Sequence, residues 1–312
     1  MKKNNLVEFM VLGVLGTLVV LSLVIPQLLR DREESQLLSL SVLLRDTDNS
    51  NWTVARQGME QAADELGAEL RFLTLTVQND SREQEELMRR EVDGGADALI
   101  AVPADPESLY TAMSLLPSPC PIVTLECAME GGAGTVAPDN ELVGRQLAEA
   151  LLEDWDDGLV LLLYTSDSCP EADGRLKAAF DTIAETEGEV PVLVLDYGYW
   201  DSLRGQQWVM TFDPAATRQT AEWKEAEGET FALYGVGSST AITAQLEKGN
   251  ITAIAAWSDY AAGYLAVQQA VQAVQARSQT LEPLPFSIVR REDIYAPENQ
   301  KLLFPVMSSS GR

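Results

Sequence analysis

The chain is 312 residues long, enough for two domains of about 100–150 residues each, and its hydrophobic fraction of 46% suffices for full cores. Its 22 basic and 48 acidic residues give a formal net charge of −26, which repels phosphate backbones and argues against nucleic-acid binding. There is no histidine, which removes Ser-His-Asp and Cys-His nucleophiles and every zinc site that needs imidazole, so neither a metal nor a cofactor is expected.

Lys2 and Lys3 precede an apolar run from Phe9 to Ile25 that extends weakly to Leu29. At about 1.5 Å per residue this run reaches roughly 25–31 Å, the thickness of a bilayer core, and the lysines favour a cytoplasmic N-terminus. Pro26-Gln27-Leu28-Leu29-Arg30 offers no A-x-A-like cleavage site, and no cysteine stands nearby for lipid attachment. Residues 1–30 therefore read as one uncleaved transmembrane helix. The expected location is the cell membrane, single-pass, with the body of the protein extracytoplasmic. A charged linker, Asp31 to Gln36, leads into that body.

Leu38–Leu44 is a near-continuous apolar run ending at Arg45-Asp46, the pattern of a buried parallel strand. Asn49-Ser50-Asn51 is capping chemistry for a helix from Trp52 to Leu66, which Gly67 ends. Strand Leu70–Leu75, helix Arg82–Val92, strand Ala98–Val102, helix Glu107–Leu115 and strand Pro121–Leu125 follow. A glycine-rich break at Gly131–Gly134 separates this half from a second. There the alternation restarts with helix Asn140–Leu152, strand Leu159–Tyr164 and helix Glu171–Thr186. Strands Val190–Leu195, Trp208–Phe212, Thr230–Tyr234 and Thr252–Ala256 and helices Ala215–Glu227, Ser239–Leu246 and Tyr260–Ala276 complete it, before a late short strand Phe286–Val289. Such alternation predicts an α/β fold of two similar halves, each a parallel sheet flanked by helices. Ligands in such folds bind in the crevice at the carboxyl ends of the strands.

Those strand ends carry amides, carboxylates and indoles. Strand one delivers Asp46, Asp48, Asn49, Asn51 and Trp52; strand three delivers Asp105; strand four delivers Glu126 and Cys127. The second half contributes Asp167, Phe212-Asp213, Gly235–Ser238 and Trp257-Ser258-Asp259. Amides and carboxylates pair with sugar hydroxyls, and rings stack on sugar C–H faces. Asn49 or Asn51 serves equally as a helix cap, and Trp257 equally as core. Glu126 ends an apolar strand, where an unpaired carboxylate is costly. Gly235-Val236-Gly237 is only a partial dinucleotide-binding match, lacking the third glycine and lying late in the chain. Of the three cysteines, Cys120 and Cys127 flank one predicted strand that spans roughly 23 Å, beyond disulfide reach, whereas Cys127 with Cys169 remains open.

Asp48-Asn49-Ser50-Asn51-Trp52, Gly58, Gln78-Asn79-Asp80, Gly95 to Asp105, Pro121 to Glu126 and Asp139-Asn140 with Val143-Gly144 together resemble the type I periplasmic binding proteins, the ribose-binding-protein-like and LacI-like sugar receptors. The resemblance covers about residues 38–290 and is stronger through Leu152. It implies two lobes, residues 38–137 with 258–284 and residues 138–257 with 285–306, joined by a three-stranded hinge and closing on a sugar. It also implies that Asn49 hydrogen-bonds ligand, that Trp52 stacks on it, and that Glu126 stands where the family has Asp. Arg175 matches the second-lobe arginine, Asp213 an Asn-Asp pair, Gly237 a lost Asp, and Trp257 a polar residue. Between Asp196 and Phe212 the chain is too short for the family's helix, so Tyr197-Gly198-Tyr199-Trp200 is expected to form a loop whose aromatics cap the crevice.

The implied function is a solute-binding protein, not an enzyme, that takes a small-molecule ligand such as a monosaccharide and presents it to an ABC permease. The alternative is a sensory receptor signalling to a membrane histidine kinase or chemoreceptor. A LacI-type repressor would need a helix-turn-helix where the apolar segment stands. Glycoside chemistry by a carboxylate pair such as Glu126 with Asp213 is the remaining enzymatic reading.

Overall fold

Apolar strands alternating with capped helices generate two sheets. The computed structural model describes residues 37–47, 52–165, 170–186, 189–277 and 282–304. The predicted membrane segment, Asn49, Asn51, Asp167 and Cys169 lie outside them. Among the described residues no helix is long and apolar enough to cross a membrane.

The first sheet has order β2-β1-β3-β4-β5, with β1 Leu38–Leu43, β2 Ala68–Leu73, β3 Ala98–Ala101, β4 Ile122–Leu125 and β5 Gly134–Val136. β1 pairs in parallel with β3, β3 with β4, and β4 with β5. Every residue of β3 and β4 is buried, as expected for strands covered on both faces. The helices of this half are α1 Thr53–Leu66, α2 Ser81–Asp93 and α3 Pro106–Ser114.

The second sheet has order β11-β10-β9-β8-β6-β7: β6 Val160–Tyr164, β7 Val192–Asp196, β8 Trp208–Thr211, β9 Ala232–Val236, β10 Ala253–Trp257 and β11 Phe286–Arg290. Its pairings are parallel except β10 with β11, which is antiparallel. Helices α4 Asn140–Asp154, α5 Pro170–Ala184, α6 Pro214–Glu227, α7 Thr240–Lys248, α8 Asp259–Val274 and α9 Pro297–Leu303 complete the chain.

Helix α8 follows a second-sheet strand but packs on α1 and on β3, β4 and β5. The chain thus crosses between the sheets before α4, at the start of α8 and again before β11. Two of these crossings touch, where Leu284 N–H donates to the Ala137 carbonyl at 2.9 Å beside a Pro138–Leu284 bridge. Reciprocal glycines let α1 and α8 meet backbone to backbone. A Cβ on Gly58 would stand 2.0 Å from the Tyr260 carbonyl oxygen, and one on Gly263 1.9 Å from that of Ala55.

Acidic caps account for part of the chain's charge. The side chains of Asp80, Asp105, Asp139 and Asp213 accept backbone N–H bonds at the starts of α2, α3, α4 and α6. Carboxylates are favoured there by unpaired N–H groups and the helix dipole.

Three features depart from the sequence reading. The glycine-rich break contains strand β5, only 3 residues long and too short to show periodicity. The segment after β7 is a 3-10 turn, Trp200–Leu203. Helix α9 closes the described chain where no element was predicted.

Candidate ligand-binding cleft

Parallel strands deliver their last side chains to one end of each sheet, and the sheet-to-sheet crossings hold those ends together. The result is a cavity of about 370 Å³ lined from both halves. It opens into a wider outer chamber that shares Asp46, Gln78, Arg218 and Asp259 with it.

On the first-sheet side, Arg45 follows β1. Its Nη2 donates to Glu126 Oε2 at 2.9 Å and stands 3.9 Å from Asp213 Oδ2 of the other half. One guanidinium therefore bridges carboxylates of both walls. Trp52 Nε1 donates to Asp46 Oδ2 at 2.6 Å, which fixes the indole beside the cavity. Glu126 has φ +64°, and Cys127 N–H closes back on the Leu125 carbonyl at 2.7 Å. A non-glycine residue in that region carries about 1–3 kcal/mol of strain, tolerated where the turn aims a functional side chain.

On the second-sheet side, Asp213 Oδ1 accepts from Ala215 N–H and Ala216 N–H at 2.8 and 3.1 Å, capping α6. Trp257 ends β10 at 4% exposure. Arg175, 3% exposed, stands behind it, its guanidinium carbon 5.2 Å from the ring centroid. Arg175 is held by Asn140 Oδ1 at 2.7 Å and the Phe212 carbonyl at 2.8 Å. Gly237 has φ +114°, and a Cβ there would meet Ile242 Cδ1 at 2.7 Å. The positive φ disfavours the aspartate that the resembled family places there, and Ile242 would have to shift to admit it.

The electrostatics follow from burial. Desolvation raises the Glu126 pKa, opposed by Arg45 and Arg175 and assisted by Asp213 and Asp46. Burial pushes Asp259 up to about 7; a hydrogen bond from Ser238 Oγ at 3.1 Å pulls it down and the Glu126 charge pushes it further up.

Of the residues singled out from sequence, Trp52, Glu126, Asp213, Gly237 and Trp257 meet at this cavity, together with the strand-end residues Asp46, Ser238 and Asp259. Arg175 lies one layer behind. Asp105 does not line the cavity: its carboxylate accepts from Glu107 N–H and Ser108 N–H and caps α3. Tyr197 lines the cavity, its hydroxyl donating to Gln219 Oε1 at 2.7 Å. Its neighbours do not cap the crevice as expected, because Tyr199 points to solvent and Trp200 stacks on Trp223 at 5.6 Å. Arg45, Gln78, Asn79, Arg218 and Gln219 join the lining unforeseen. Arg45 left a trace, as a charge directly after a near-continuous apolar run, and Gln78 and Asn79 did so within the stretch that carries the resemblance.

The sequence matches the family model described as periplasmic binding protein domain over residues 40–278. The chain belongs to that family. No curated protein sequence matches it. Among solved structures, this periplasmic binding protein domain is similar to a carbohydrate transporter solute-binding protein from Agrobacterium radiobacter in complex with D-arabinose, with 14% identity over 86% of this chain and 100% of that one and a TM-score of 0.78. A myo-inositol binding protein from Caulobacter, bound to myo-inositol, matches at 16% identity over 86% and 99%, TM-score 0.74. A periplasmic component of an ABC-type sugar transport system from Hahella chejuensis matches at 20% identity over 80% and 99%, TM-score 0.72. At these identities the likeness establishes the two-lobed α/β fold of the periplasmic binding protein domain, with its parallel sheets and flanking helices.

Proposed function

We propose that this chain is an extracytoplasmic solute-binding protein that closes on a sugar or sugar-like small molecule and presents it to an ABC transporter permease. The observation that carries this reading is the convergence of Trp52, Glu126, Asp213 and Trp257 from both halves on one cavity. Carboxylates accept sugar hydroxyls, and indole faces cover C–H surfaces. Asn49 and Asn51, next to Trp52 in sequence, are assigned as further amide contacts. A ligand that touches both walls stabilises the closed arrangement by its differential affinity for it, and closure is what a permease reads. Residues 1–30 would tether the receptor to the membrane. The solved relatives described as transport components or as bound to D-arabinose or myo-inositol support the same reading.

A thermal-shift screen against D-arabinose, D-fucose, D-tagatose and myo-inositol tests it. A binder present at a hundred times its Kd stabilises the fold by about 2.7 kcal/mol. No shift with any monosaccharide would remove the sugar assignment. The Arg45 bridge holds Glu126 and Asp213 as structural partners, so hydrolysis of aryl glycosides is expected to be absent.

A further inference from the structure

Every guanidinium at the cleft is already matched inside the protein. Arg45 is committed to Glu126 and Asp213. Arg218 chelates Glu222 at 2.9 and 3.0 Å. Arg175 is buried behind Trp257 and held by Asn140 and Phe212. The helix starts facing the cavity are also satisfied, α6 by Asp213 and α7 by Ser239.

Two carboxylates stand differently. Asp46 and Asp259 each line both the inner cavity and the outer chamber, where the two spaces join. Among the described residues neither is ion-paired. Asp46 is fixed by the Trp52 indole N–H and Asp259 by the Ser238 hydroxyl, both neutral donors. The four carboxylates at the cavity, Asp46, Glu126, Asp213 and Asp259, outnumber the one guanidinium that pairs with any of them, that of Arg45, and a cation delivered by a ligand relieves that imbalance. Desolvation raises the pKa of Asp259, and the neighbouring Glu126 charge raises it further. Aromatic rings beside such carboxylates add cation–π attraction, and Trp52 and Tyr197 line the same space.

We propose that the ligand is a polyhydroxylated amine, such as an amino sugar, whose ammonium is received by Asp46 and Asp259. Its hydroxyls then occupy the inner cavity beside Glu126 and Asp213. This rests on the sugar-receptor reading and narrows it to a cationic member of that chemical class.

Titration calorimetry of the full chain at pH 7.5 compares glucosamine, galactosamine and mannosamine with their neutral parents and their N-acetyl derivatives. The expected result is that one amine binds at least tenfold more tightly than both its neutral counterparts. In Asp259→Asn that ratio is expected to fall toward one. Neutral parents binding as tightly as the amines would overturn the cationic assignment while leaving the sugar receptor standing. Binding of none of these, nor of any other monosaccharide, would overturn both. The wild-type ratio decides the matter even where the variant fails to fold.

Discussion

The two walls of the cleft are built by different means. The first-sheet wall is rigid at its base, because α1 and α8 touch through Gly58 and Gly263 with no side chain between them. It presents charge: Arg45, Asp46, Glu126 and Asp259. The second-sheet wall is looser at its edge. The connection from β7 to β8 is only a 3-10 turn, and Leu193 and Val194 of β7 remain 44% and 40% exposed. Packing there is supplied by a ladder of rings, Trp200 on Trp223 at 5.6 Å and Trp223 on Phe231 at 6.4 Å. The contrast teaches that one cleft can join a wall set by direct backbone contact to a wall set by aromatic packing.

The largest effect that would break this contrast is at the α1–α8 contact. Gly263→Ala places a methyl against the Ala55 carbonyl and is expected to cost more than about 3 kcal/mol in urea unfolding. Gly174→Ala in α5, where nothing lies within 4 Å, is expected to be neutral or stabilising by about 1 kcal/mol at most. Equal stabilities of the two variants would contradict the close-packed base.

Next in size is the ring ladder. Trp200→Ala is expected to lose about 2–3 kcal/mol of stability. Because Trp200 packs on the second-sheet core rather than on the cavity, ligand Kd should move little. A large loss of affinity at unchanged stability would put the ring back at the crevice.

Trp52→Ala reverses that pattern, with about 1–3 kcal/mol of ligand affinity lost and little stability. An unchanged Kd would remove the indole from the site.

The smallest effect sharpens the electrostatic side. Asp259 has a folded-state pKa raised to about 7 against an ordinary 3.8, so the folded chain holds a proton that the unfolded chain has lost. Its contribution to stability is fully present below pH 4 and is lost as pH rises through 7. The expected slope is on the order of 1 kcal/mol across that window, since the cleft stays wet. Glu126 and Ser238 act on the group, and Asp259→Asn should flatten the slope relative to wild type. Identical pH profiles would show that this carboxylate is not desolvated.

The strands and most helices were legible because buried parallel strands are short apolar runs and most helices between them start on Asp or Ser, several of them stopping on Gly. Gly67 and Gly228 both end helices in the left-handed conformation that glycine permits. Strand β5 was not legible, because its few residues are strand only through pairing with β4. At the cleft, Trp52, Glu126, Asp213 and Trp257 were legible as side chains at strand ends. Asp105 misled because a strand-end aspartate and a helix cap look alike in sequence, and here the cap won. Arg45 could not be assigned beforehand, since its role depends on how the two sheets face each other, whereas of Tyr197, Tyr199 and Trp200, all expected at the crevice, only Tyr197 lines it. Arg175 is set back behind Trp257 by packing that no spacing reveals.

The most direct test is a crystal structure of the chain with the sugar that gives the largest thermal shift. The account predicts the sugar ring in the cavity between Trp52 and Trp257, with hydroxyls on Glu126 and Asp213 and contacts to both sheets. A ligand seated on one half alone, or away from these side chains, would contradict it.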